Sequence, residues 1–78
     1  MNLLLPQTRE AIVLAARIVD LHGDRFVDVT LRFDEPGAAP VTSRVSGTEC
    51  PHDLAEGERV TARLVLGIVT RVVRPGTP

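Results

Sequence analysis

The sequence predicts an all-β domain, a five-stranded Greek-key barrel with a short helical turn between its third and fourth strands. Three observations lead to that prediction. Apolar and polar residues alternate at a period of two in several separate runs. Turn-forming residues break those runs at His22-Gly23-Asp24, across Asp34–Pro40 and at Gly67. Only the stretch "SGTECPHDLAEGERV", Ser46–Val60, offers a connection long enough for a helical turn. Its Pro51 suits a first helical position, its Gly57 suits a stop, and Leu54 between them is placed to plug the end of a barrel.

The strands follow in order. "EAIVLAARIVDL" is nearly continuous in apolar character and rich in Ile and Val, so it reads as a long first strand that turns at His22–Asp24 into the next. A helix over Arg9–Val19 is the alternative for this segment. In "RFVDVTLRF" the set Val27, Val29, Leu31 and Phe33 alternates with Asp28, Thr30 and Arg32, which describes a strand with one buried face. "DEPGAAP" is a loop, because Pro36-Gly37 makes a turn and Pro40 cannot donate to a ladder. "VTSRVSG" sets Val41, Ser43 and Val45 against Thr42, Arg44 and Ser46. "RVTARLVL" sets Val60, Ala62, Leu64 and Leu66 inward and Arg59, Thr61 and Arg63 outward. "IVTRVVR" is the last strand, with no inward face assigned, and "PGTP" is a frayed tail.

Seventy-eight residues make one domain. The expected organisation is an N-terminal arm over 1–8, a barrel over 9–74 and a tail over 75–78. The arm carries the apolar triplet Leu3–Leu5, which is too short for a signal peptide or a membrane span and is expected to pack on the barrel or dock on a partner. A lone cysteine excludes an internal disulfide, and a reducing, cytoplasmic setting is the simpler reading.

The placement of the turn in mid-chain and the length of the first strand match a five-stranded barrel of the OB type. "RVSG", "LAEGERVTARL" and "IVTRVVR", spread over residues 41–74, resemble the second half of the one-domain bacterial translation initiation factors and, more broadly, RNA-binding OB repeats of the ribosomal-protein and cold-shock kind. The resemblance implies an OB barrel and RNA binding. Such binders are rich in lysine and arginine and carry aromatic residues on strands two and three. This chain has no Lys, Tyr or Trp, and its nine basic residues are all arginine. Only Phe26, out of phase with the core set, offers a stacking platform.

Cys50, His52 and Asp53 sit close together, but a structural zinc needs four ligands, commonly as two pairs, and no second pair exists. No group is placed to orient a Cys–His nucleophile, and there is no glycine-rich phosphate cradle. The expectation is therefore no enzyme, no metal and no cofactor.

Net charge is −1 but uneven: Asp20–Glu58 holds nine acids and three arginines, whereas Arg59, Arg63, Arg71 and Arg74 close the chain with no acid among them. Two binding functions follow. In the first, Arg32, Arg44, Arg59 and Arg63, with Thr42, Thr61 and Phe26, form an outward strand face for single-stranded nucleic acid. Three or four phosphate contacts would set a salt slope of roughly −2 to −3. In the second, the Leu3–Leu5 arm and the barrel edges serve a protein partner or self-association. The arginines and hydroxyls tip the reading towards nucleic acid.

Overall fold

The computed structural model describes residues 5–76. Five strands run in order: β1 (Gln7–Leu21), β2 (Asp24–Phe33), β3 (Val41–Ser46), β4 (Arg59–Val65) and β5 (Ile68–Val73). They form one antiparallel sheet of order β3-β2-β1-β4-β5. Leu3 and Leu4 of the expected arm lie outside the described residues. Strand β1 begins at Gln7, two residues before the expected start of the barrel.

Arg9–Val19 is extended rather than helical. Its β-branched Ile12, Val13, Ile18 and Val19 lose little side-chain freedom on a pleated strand and more on a helix. Being long, β1 serves two partners: Gln7–Ile12 pairs with β4, and Ala11–Leu21 pairs with β2. Between Val13↔Leu31 and Ala15↔Thr30 the residue Leu14 is extra, and this bulge bends the strand where it changes partner. The bulge also switches the inward side chains from Ala11 and Val13 to Ala16.

Two-residue turns close two of the three hairpins, and the Asp34–Pro40 loop closes the third, β2 to β3. His22 (φ 51°) and Gly23 (φ 83°) join β1 to β2, and Leu66 (φ 53°) and Gly67 (φ 78°) join β4 to β5. Positive φ at both central residues is the turn that matches the natural twist of paired strands. Leu66, expected to point inward at the end of β4, instead occupies this turn and is 59% exposed.

The expected helical turn between β3 and β4 is absent; the connection is a series of turns. Several of its backbone groups are committed to strands, and within it only single turns are bonded, Glu49 N donating to Ser46 O (2.9 Å) and Glu58 N to Ala55 O (3.2 Å). Gly47 N donates to Arg25 O (2.8 Å), Gly57 N donates to Val13 O (2.8 Å), and Glu49 O accepts from Val72 N (2.9 Å). A helical turn over Pro51–Gly57 would need the Gly57 N–H for an i→i−4 bond to Asp53, and that donor is spent on β1. Leu54 nevertheless packs against the core from this connection, as does Ala16 from β1.

The core is one cluster in which Val13, Val27, Val29, Leu31, Val45, Val60 and Val72 are fully buried and Phe33, Leu64 and Cys50 nearly so. Val69 and Val72 both point inward although three residues apart, because Thr70 is extra between Arg63↔Arg71 and Leu64↔Val69. The sheet curls until its outer strands, β3 and β5, come into contact. No ladder joins those two strands among the described residues.

Candidate binding surface

All seven side chains singled out in the sequence lie on the outer face of the sheet. The ladders show it row by row: Phe26 opposite Ser46 and Val19, Thr42 opposite Thr30, Arg44 opposite Asp28, Thr61 opposite Glu10, Arg63 opposite Thr8. Strand β1 divides them. Phe26, Arg32, Thr42 and Arg44 belong to β2 and β3, whereas Arg59, Thr61 and Arg63 belong to β4. One row spans the divide, because Ile12 faces Arg32 on one side and Arg59 on the other.

Acids on the same surface neutralise much of this set. Arg44 holds Asp28 through two bonds, Nε to Oδ1 at 2.7 Å and Nη2 to Oδ2 at 2.9 Å, and Arg17 approaches the same carboxylate at 3.6 Å. Hydrogen bonding from Arg44, reinforced by the charges of Arg44 and Arg17 against partial desolvation, holds the Asp28 carboxyl below its ordinary value. Arg59 pairs with Asp34. The Thr61 hydroxyl faces Glu10 (3.3 Å to Oε2), and the Thr42 hydroxyl is bonded to that of Thr30 (2.9 Å). Elsewhere Arg9 pairs with Glu35, Arg25 with Asp20, Arg71 with Glu49, and Arg74 with both Asp53 and Glu58. Among the described residues only Arg32 and Arg63 have no carboxylate in ion-pairing range. Phe26 is half-buried.

The stretch containing Cys50 and His52 is tied into the fold. His52 Nε2 lies 2.7 Å from the Gly47 carbonyl oxygen, which can only accept, so that nitrogen donates. Cys50 is buried, and desolvation, only partly opposed by the charge of Arg74, pushes its thiol up to about 11. It is therefore a protonated thiol at neutral pH. Beside it lies an open groove of about 370 Å³ walled by the Glu49–Arg71 pair and by Val72, Val73 and Arg74. Among the described residues no three His, Cys, Asp or Glu side chains converge as a metal site would require. None of the described residues forms a helix long and apolar enough to cross a membrane.

The structure locates two further surfaces, of which the sequence had offered only the Leu3–Leu5 arm and unspecified barrel edges. Leu5, Val41, Leu66 and Ile68 are exposed at the end of the sheet where β1 begins and β2 ends, and Val41 there lines a cavity of about 270 Å³ with Phe33, Leu64 and Gly67. The other is an open strand edge. Val13 is the last β1 residue held from the β4 side, by bonds to Glu58 O and from Gly57 N. From Ala15 to Leu21 the strand has β2 on one flank and no strand on the other among the described residues. The signal for this edge was present in the sequence as a length mismatch, fifteen residues in β1 against seven in β4.

Comparison with family models, with characterised proteins and with solved structures finds no match to this chain.

Proposed function

We propose that the curled sheet is a Greek-key barrel of the OB type, and that it works as a non-catalytic module binding protein through the open edge of β1. The strand order, with the longest strand central and shared by both halves, supports the barrel reading, as does the contact of β3 with β5.

One observation carries the choice of partner class. Seven of the nine arginines have a carboxylate in ion-pairing range, while Ile18 and Leu21 stay exposed on an edge with unpaired backbone groups. A phosphate must displace an acid from each paired arginine before it gains a contact. The two-residue turns at His22-Gly23 and Leu66-Gly67 are also too short to fold over a bound strand. A second reading, single-stranded nucleic acid, is favoured by Arg32 and Arg63, the two arginines without such a partner. Two phosphate contacts correspond to a salt slope of only about −1.4.

A fluorescence titration with labelled single-stranded DNA and RNA at two salt concentrations tests the choice. The protein-binding reading expects no saturable binding in the micromolar range. Saturable, salt-dependent binding that is lost on combining Arg32→Glu with Arg63→Glu would establish the nucleic-acid reading instead.

A further inference from the structure

We infer that the partner received on the β1 edge is a second copy of this chain, paired antiparallel about a two-fold axis at Ile18. The inference rests on the protein-binding reading above and names its partner.

The hairpin turn fixes which backbone groups are available. In a two-residue hairpin the flanking residues, here Leu21 and Asp24, exchange both hydrogen bonds. Bonding to β2 then falls on Leu21, Val19, Arg17 and Ala15, and the N–H and C=O of Ala16, Ile18 and Asp20 turn to the open side. The same alternation explains the other half of the strand. Before the Leu14 bulge Glu10 O faces β2 and accepts from Asp34 N (3.1 Å), while both polar groups of Val13 face β4.

Natural sheets blunt such edges with lysine, proline, bulges or a covering segment. Ala15–Leu21 has no lysine, proline or glycine, its ladder to β2 is regular throughout, and five of its seven residues are apolar. Among the described residues no backbone hydrogen bond from outside the sheet reaches Ala16, Ile18 or Asp20.

Self-pairing works in one register. A two-fold normal to the sheet keeps faces matched, so it must pass through a residue position. Centred on Ile18 it sets Ile18 against Ile18, Ala16 against Asp20, Arg17 against Val19 and Ala15 against Leu21. All three edge-facing residues then meet edge-facing residues, and each such pair exchanges two backbone bonds. Ile18, 44% exposed, and Leu21 gain apolar neighbours. Centring on Arg17 would set two guanidinium groups face to face, and centring on Asp20 two carboxylates, both disfavoured. Centring on Val19 leaves the edge groups of Ala16 unpaired. No like charges oppose each other in the Ile18 register.

Sedimentation velocity of the full chain from micromolar to millimolar concentration tests this, with amide hydrogen exchange as a second readout. The expected result is a concentration-dependent dimer, with the amides of Ile18 and Asp20 becoming protected as it forms. Ile18→Lys, which sets two ammonium groups in opposition at an exposed position, should weaken the dimer by on the order of tenfold. Ile68→Lys, at the other end of the sheet, should leave it unchanged. A chain that stays monomeric, or a dimer broken by Ile68→Lys but not by Ile18→Lys, would overturn the inference. Those outcomes concern the partner alone, whereas the protein-binding reading stands or falls on the nucleic-acid titration.

Discussion

Leu66 holds a left-handed backbone, φ 53°, in a turn whose partner hairpin uses His22 at φ 51° for the same purpose. Histidine, asparagine and aspartate tolerate this region several times more often than other side chains, and a leucine there is strained. With its side chain 59% exposed, Leu66 recovers little by burial. Leu66→Asn is therefore expected to raise stability by about 0.5–1 kcal/mol, read as an increase in the urea unfolding midpoint with an unchanged slope. The period-two pattern of "RVTARLVL" pointed Leu66 inward because alternation carries no information about where a strand stops. Gly67 marked the break, and the turn took one residue more. Arg44 gives a similar lesson. Its outward direction was legible from alternation, but its bidentate bond to Asp28 depends on the register of β3 against β2.

The connection between β3 and β4 is held by its contacts to other elements. At Gly47 an added Cβ would lie 2.7 Å from Arg25 O and 3.1 Å from His52 Nε2. The backbone oxygen cannot move aside without loosening the bond that Gly47 N makes to it. Gly47→Ala is expected to cost about 1–3 kcal/mol, checked by chemical denaturation. Pro51 and Gly57 resembled helix punctuation in the sequence, yet Gly57 N donates outward to Val13 O, Ala55 O accepts only in a local turn from Glu58 N, and no helix forms. The strand elements were more legible. The face of β2 and the buried residues Val45, Val60, Ala62 and Leu64 follow alternation directly. The face of β5 does not, because the bulge at Thr70 shifts Val69 and Val72 out of a common period. That bulge is a pairing event between two strands, with no mark on either alone.

At the scale of the molecule, acids from the middle of the chain meet arginines from its end. Arg71 bonds Glu49, and Arg74 bonds Asp53 and Glu58, drawing β5 and the residue after it onto the β3–β4 connection. These hydrogen bonds hold Glu49, Asp53 and Glu58 below their ordinary values, as Arg44 does for Asp28. A carboxyl depressed by folding stabilises the native state above its unfolded value and loses that contribution as pH falls through its folded one. Stability is therefore expected to be level near neutrality and to decline as pH drops below the ordinary values of 4.5 for Glu and 3.8 for Asp. Urea midpoints measured from pH 7 to pH 3 check this, and Arg74→Met should flatten the part of the decline owed to Asp53 and Glu58. The exposure of these pairs keeps each contribution small and sensitive to salt.

Alternation, turn residues and chain length by themselves determined an all-β domain of five strands and the outward direction of the seven candidate side chains. Those properties depend on local geometry, since a strand's faces are set by its own period. Which arginines keep a free charge, how the last strand turns its face, and that half of β1 is left with an open flank were decided only when the strands met. Each of these depends on register between segments distant in sequence, and no single segment carries it.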